Sequence, residues 1–165
     1  MLTLVYRSDA AVLLPHSTLS DLCFQSAAKN RRLGITGFLV EHEGTFLQVL
    51  EGEPRDVERL FDRIVTDGRH QNVSILSHEI SRDERTFGFW SMNFGPLSDP
   101  DFWTGEFADF RGRKEFRIKS HSANFALRVL TRAYTHACIL TDADPVIGDY
   151  VRGKRPVLAG QPEPV

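Results

Sequence analysis

Cysteine is scarce in this sequence, with only Cys23 and Cys138 among 165 residues. Two isolated cysteines exclude a disulfide framework and a CxxC motif, and they fit a reducing compartment, so we expect a cytoplasmic protein. Long apolar runs are absent as well. No stretch approaches about 18 apolar residues, and the chain does not open with a charged segment followed by an apolar one, so we expect neither a membrane span nor a secretion signal.

Metal-ligand patterns are also lacking. The chain has six histidines, and one of them, His70, directly follows Arg69. The other five show no pairing with carboxylates or cysteines at the spacing of a metal site, so we predict no metal. These five are His16, His42, His78, His121 and His136.

The net charge of −2 conceals an asymmetry along the chain. Residues 1–110 carry 10 Lys/Arg and 17 Asp/Glu, whereas residues 111–165 carry 10 and 5. Opposite charges favour attraction between the two parts, within one molecule or between subunits, and we expect a homo-oligomer. Nucleic-acid binding by the basic part is the weaker alternative, because the chain has no helix-turn-helix or zinc pattern.

The order of apolar patterns predicts an α+β fold. It runs strand, helix, strand, strand, helix, strand, strand, which is the ferredoxin-like split βαβ pattern with one additional strand. We expect a five-stranded mixed sheet with two helices on one face, followed by a helical extension. The predicted strands are residues 2–8, 34–40, 44–52, 72–80 and 88–94, and the predicted helices run from Ser17 to about residue 30 and from Pro54 to Gly68.

Polar and aromatic side chains are aimed at the crevice that two such helices leave on a sheet. Gln48 shares one face of its strand with apolar residues, and a buried amide without partners costs about 1–3 kcal/mol. Tyr6 faces inward on the first strand, and Asn30 continues the apolar stripe of the first helix. Trp90 and Met92 are predicted to share one face of the last strand. Convergence of Tyr6, Asn30, Gln48 and Trp90 favours a planar ligand in the crevice.

Each of these residues also has a purely structural interpretation. Tyr6 fits an ordinary core tyrosine, Trp90 with Met92 fits an apolar stripe, and Asn30 fits a helix cap. Arg69 and His70 fit a solvated pair at a helix end, which the helix dipole favours. The order and spacing of the whole set argue against these readings taken together.

Five motifs resemble the BLUF family of blue-light sensors that use FAD, over residues 1–95. They are Tyr6-Arg7-Ser8, Asn30 six residues ahead of Thr36, Phe46-Leu47-Gln48-Val49-Leu50-Glu51-Gly52, Asp67-Gly68-Arg69-His70 and Phe89-Trp90-Ser91-Met92. The resemblance implies FAD as cofactor, with FMN or riboflavin as possible substitutes. It implies that Tyr6 is the photochemical electron and proton donor and that Gln48 is the amide that switches hydrogen bonds. It also implies that Asn30, Arg69 and His70 bind the flavin and that Trp90 and Met92 signal.

The resemblance implies a photoreceptor rather than an enzyme, signalling to an unknown partner protein or through its oligomeric state. We expect residues 96–140 to form a helical extension that relays the signal, either on the open face of the sheet or against another subunit. Residues 141–165 are rich in proline, glycine and charge, which predicts a mobile tail. A small flavin reductase, or an acylphosphatase-like hydrolase using Arg7 and Asn30, is the alternative on the same fold.

Overall fold

The computed structural model describes residues 1–82, 84–95 and 97–140, so the predicted mobile tail lies outside the described residues. Its centre is a five-stranded mixed sheet in the order β4-β1-β3-β2-β5. The first four strands pair antiparallel, and β5 runs parallel to β2. The strands are β1 Leu2–Ala10, β2 Thr36–His42, β3 Thr45–Gly52, β4 His70–Ile80 and β5 Asn93–Phe94. The predicted α+β class and mixed sheet are therefore confirmed.

Helices cover both faces of this sheet. Two of them, α1 His16–Arg32 and α2 Pro54–Val65, pack on one face as predicted, over a core that includes Leu4 and Leu50. The other face is covered by α4 Ala123–Leu140, which contacts β1, β2, β3 and β4. The extension thus lies on the open face of the sheet, where it completes a second core around Phe38 and Phe87.

Alternation along β1 divides its side chains between the two cores. Leu4 and Tyr6 point toward α1 and α2, whereas Val5 packs in the core beneath α4. Successive side chains of a strand point to opposite faces, so neighbouring residues of β1 serve different layers of the molecule. This strand therefore links the two faces of the sheet.

Two predicted elements differ from the structure. Of the predicted strand 88–94, only Asn93–Phe94 pairs with the sheet. The first part of the predicted helical extension, residues 96–140, contains two 3₁₀ turns instead of an α-helix, Pro100–Phe102 and Gly105–Phe110, and Gly105 has a φ of +58° that an α-helix does not allow. A short helix that the sequence analysis did not predict, α3 Arg113–Lys119, follows these turns.

The helix ends also differ by a few residues. Helix α1 begins at His16, with Pro15 rather than Ser17 at the capping position and no side-chain cap. Helix α2 ends at Val65, so Gly68 lies beyond it.

A buried charge cluster ties β1 to the helices of the extension. The Arg7 side chain is almost fully buried, pairs with Asp9, and donates from Nε to the Ser120 hydroxyl at 3.1 Å. Asp9 also accepts from Asn72 Nδ2 at 3.0 Å and from the Arg117 guanidinium at 3.2 Å. One carboxylate thereby joins β1, β4 and α3.

We predict that Asp9→Ala lowers the free energy of unfolding by about 3–5 kcal/mol, because it leaves the Arg7 charge buried without its carboxylate. Denaturant titration followed by far-UV circular dichroism measures the change. The exposed Asp62→Ala is the matched control, expected within about 0.5 kcal/mol of the wild type. Adding Arg7→Met to Asp9→Ala should recover part of the lost free energy of unfolding, because no buried charge is then left unpaired. Equal decreases in the free energy of unfolding for Asp9→Ala and Asp62→Ala would contradict the prediction.

Candidate functional site

Tyr6 and Gln48 lie directly opposite each other in the antiparallel pairing of β1 with β3. The Tyr6 hydroxyl donates a hydrogen bond to Oε1 of Gln48. On its other side, the Gln48 amide donates from Nε2 to the sulfur of Met92 at 3.3 Å. A thioether is a weak acceptor, so a ligand oxygen or nitrogen would be a better partner for this N–H.

A cavity of about 260 Å³ opens beside this pair, between α1 and α2. Its apolar walls include Leu22, Leu39 and Ile64, and its polar lining includes Gln48 and Asn30. Lys29, Arg63, Asp67, Arg69 and His70 also line it. The cavity therefore combines apolar walls with two primary amides and three basic side chains.

Asn30 does not use its side chain to cap helix α1. The residue is buried, and its Nδ2 donates to the main-chain carbonyl of Ser91 at 2.9 Å. The helix end is closed by main-chain bonds instead, since the Asn30 carbonyl accepts from the N–H groups of Leu33 and Ile35. The amide thus connects the cavity with the segment that precedes β5.

Asp67 and Arg69 form an ion pair at the edge of the cavity. Arg69 Nε donates to both carboxylate oxygens of Asp67, at 2.9 and 3.0 Å. Hydrogen bonding by Arg69 lowers the pKa of Asp67 to about 2. The arginine is therefore oriented by a carboxylate that stays ionised.

His70 lies deeper than this pair. Its Nδ1 is 2.9 Å from the Ser8 hydroxyl, and its ring meets those of Tyr6 and Phe46 at centroid distances of 6.5 and 5.2 Å. Burial lowers the pKa of His70, partly offset by the charge of Asp67. The imidazole is consequently held toward its neutral form beside the tyrosine.

Trp90 and Met92 lie on different sides of the sheet, so the prediction that they share a face is wrong. Met92 lines the cavity, whereas Trp90 packs on the rings of Phe38 and of Tyr134 of α4. The centroid distances are 5.9 Å and 5.4 Å, respectively. The period-two rule fails because residues 88–92 are not a strand. Trp90 therefore does not join Tyr6, Asn30 and Gln48 in the crevice.

Gly37 on β2 makes room for Met92 at the cavity. A Cβ added to Gly37 would lie 2.8 Å from Met92 Cε and 2.9 Å from the Val49 carbonyl oxygen. The second contact is with main chain, which cannot move aside as a flexible side chain does. Glycine at this position thus permits the thioether to reach Gln48.

Arg63 is a cavity residue that the sequence analysis did not identify. It follows Leu60 by three residues and precedes Ile64 by one, and all three line the cavity. This i, i+3, i+4 spacing along α2 places the three on one side, and it is the signal that would have found Arg63. By contrast, Arg7 and Asn30 lie on opposite faces of the sheet, so they form no common anion site of the acylphosphatase kind.

A family model for sensors of blue-light using FAD, BLUF, matches residues 1–93. The chain belongs to the BLUF family. It is therefore a blue-light photoreceptor domain that binds FAD, as the sequence motifs predicted. The cavity residues fit this cofactor. The amide N–H that meets only a thioether suits a flavin ring, and the basic side chains Lys29, Arg63 and Arg69 suit a diphosphate.

Relatives of this BLUF chain include both larger proteins and a protein of similar size. The photoactivated adenylate cyclase subunit alpha of Euglena gracilis is 32% identical over 74 residues, which are 45% of this chain and 7% of that protein. A structure of a bacterial light-regulated adenylyl cyclase matches with a TM-score of 0.61 at 27% identity, over 82% of this chain and 39% of that one. The BLUF protein BlrB in its dark state matches with a TM-score of 0.54 at 29% identity, over 77% of this chain and 96% of that one.

The chain therefore spans less than a tenth of the length of the curated relatives it matches. Within residues 1–82, 84–95 and 97–140, no helix is long and apolar enough to cross a membrane. Across the same residues, no three side chains of histidine, cysteine, aspartate or glutamate come together as metal ligands would. Cys23 and Cys138 are not joined in a disulfide.

We predict that the free energy of unfolding decreases as the pH is lowered below about 6.5, and that protonation of His70 accounts for part of the decrease. Its pKa is lower in the folded chain than the ordinary 6.5, so the unfolded chain takes up the proton first and unfolding is favoured as pH falls. Thermal unfolding between pH 7.5 and 5 measures the slope. His70→Gln should flatten it, while the exposed His121→Gln should not. Equal slopes for wild type and His70→Gln would contradict the prediction.

Proposed function

We propose that Tyr6 and Gln48 form the photochemical switch of this protein. The observation that carries the proposal is the hydrogen bond from the Tyr6 hydroxyl to Oε1 of Gln48, with the opposite end of the same amide directed at Met92. Burial raises the pKa of Tyr6 far above its usual range, with smaller contributions from Cys23 and Asp67. The phenol therefore keeps its proton until it loses an electron.

FAD, when bound and excited by blue light, supplies an oxidant and hydrogen-bond acceptors. Tyr6 gives up an electron, which makes its hydroxyl acidic, and the proton moves along the existing bond to Oε1 of Gln48. When the electron returns to Tyr6, the proton returns as well, and nothing is consumed. The Gln48 amide is left in a different rotamer or tautomer, with its hydrogen bonds redistributed, and a small red shift of absorption follows.

The surroundings of Gln48 support two arrangements of similar energy. In the structure the amide N–H is paired with a thioether, a partner that contributes little and is readily exchanged. On this side of the amide, a reorientation therefore gives up only a weak contact. Such a pair of states is what a switch requires.

We further propose that this chain signals without catalysing a reaction, through a partner protein or its own oligomeric state. The larger relatives join the light-sensing segment to a cyclase, and BlrB is of similar length to the matched region here. Helix α4, which lies on the sheet face opposite the cavity, is the part of the extension placed to relay the signal. Two cysteines that are not joined in a disulfide fit the reducing cytoplasm.

We predict that Tyr6→Phe and Gln48→Ala both bind FAD but lose the light-induced red shift, because each breaks the hydrogen bond that moves the proton. Absorption spectra in the dark and just after blue illumination measure the shift. Tyr134→Phe removes a buried tyrosine hydroxyl on the other face of the sheet and should keep it. A normal photocycle in either Tyr6→Phe or Gln48→Ala would exclude the proposed switch.

We predict that Arg63→Gln weakens the binding of FAD by about three- to tenfold and leaves riboflavin binding unchanged, because riboflavin has no phosphate for a guanidinium to contact. Fluorescence titration of the apoprotein with each flavin gives both affinities. Arg59→Gln, an exposed arginine of α2 that does not line the cavity, is the control. Equal losses of affinity for FAD and riboflavin would contradict the prediction, because Arg63 would then affect the shape of the cavity rather than contact a phosphate.

A further inference from the structure

The segment between β4 and β5 is held by side chains rather than by a strand ladder. We call residues 85–92 the strap. At its start, Arg85 donates to the Gly34 carbonyl at 2.6 Å and to the Thr36 hydroxyl at 3.0 Å. The buried Glu51 carboxylate accepts from the N–H groups of Thr86 and Phe87, at 3.1 and 2.9 Å. The beginning of the strap is thereby fixed to β2 and β3.

The far end of the strap contacts the flavin site. The Ser91 carbonyl accepts from Asn30 Nδ2 at 2.9 Å, and the Met92 sulfur accepts from Gln48 Nε2 at 3.3 Å. The Gly37 N–H donates to the Trp90 carbonyl at 3.0 Å. Both amides of the cavity therefore donate to consecutive residues of the strap, so a change in either amide acts on the strap directly.

The middle of the strap contacts helix α4 through Tyr134. The Phe89 N–H donates to the Tyr134 hydroxyl at 2.9 Å, and both residues are buried. The Tyr134 ring also meets Phe87 and Trp90 edge-on, at 5.1 and 5.4 Å. This tyrosine thus joins α4 to the strap two residues before the Ser91 carbonyl that Asn30 contacts.

The Ser91 hydroxyl is a buried group that a small movement of the strap would favour. It is buried and has no hydrogen-bond partner among the described residues. A buried donor without an acceptor is unfavourable, and a small movement of the strap that supplied one would offset the loss of a neighbouring bond. The unpaired hydroxyl belongs to the residue whose carbonyl Asn30 contacts, and the next residue is the one that Gln48 contacts.

We propose that Tyr134 is the positioning residue through which the strap transmits the state of Gln48 and Asn30 to helix α4. The proposal rests on the switch described above. A change at Gln48 and Asn30 displaces residues 91 and 92, the displacement reaches Phe89, and its N–H pulls on or releases the Tyr134 hydroxyl. The aromatic contacts of Tyr134 hold the helix against the strap in both states, whereas the hydrogen bond reports which state is present.

The test compares the FAD-bound full chain with its Tyr134→Phe variant, in the dark and under blue light. Absorption reads the switch, and amide hydrogen exchange followed by mass spectrometry reads the strap and α4. In the wild type we expect illumination to change exchange in both segments. In Tyr134→Phe we expect a normal red shift, exchange at the Phe89 amide faster in the dark by about five- to tenfold, and no light-induced change in α4.

Thr135→Val, which removes an exposed hydroxyl next to Tyr134 on α4, should behave as the wild type. A light-induced change in α4 that persists in Tyr134→Phe, or an α4 that ignores light in a wild type with a normal red shift, overturns the proposal and leaves the switch intact. A wild type without a red shift overturns the switch as well. If Tyr134→Phe fails to fold, the proposal is tested by the NMR signal of the Phe89 amide in the wild type. We expect this signal to shift on illumination, and an unchanged signal overturns the proposal.

Discussion

The antiparallel register of β1 with β3 sets the Tyr6 phenol against the Gln48 amide, and the remainder of the flavin site depends on it. Side chains alternate along a strand, so a slip of one residue would turn one member of the pair to the other face. Burial on both faces prevents such a slip. Leu4 opposite Leu50 anchors the register on the cavity side, and Val5 opposite Val49 anchors it on the side of α4.

The same alternation gives β1 two tasks at consecutive positions. Tyr6 lies on the side of the sheet that holds α1 and α2, where it bonds to Gln48, and Arg7 faces the extension, where the pair with Asp9 and the bond to Ser120 fasten the junction before α4. A buried ion pair contributes little net stability, yet it fixes geometry, because removing either partner is costly. The strand that carries Tyr6 is thus attached through buried contacts to the helices on the other face.

Strong periodicity made the first four strands and both sensor helices predictable from sequence, and Asn30 and Gln48 do line the cavity, with Tyr6 bonded to Gln48. The alternation of Phe89, Trp90, Ser91 and Met92 misled the prediction. These residues look like a strand, but the Phe89 N–H and the Ser91 carbonyl pair with the side chains of Tyr134 and Asn30, which are distant in sequence. Local patterns carry no information on such partners. The same reason explains why Trp90 and Met92 separate and why Tyr134 went unnoticed.

The way the strap is bonded suits it to move between two stable layers. A strand ladder is cooperative, so shifting one residue disturbs its neighbours on both strands, whereas each side-chain bond of the strap can change alone at a net cost of about 0.5–1.5 kcal/mol. Light energy that rearranges one amide is therefore enough to exchange one such bond. Since the sheet and the Arg7 cluster hold both layers in place, a small displacement of the strap is passed to α4 rather than absorbed by the fold.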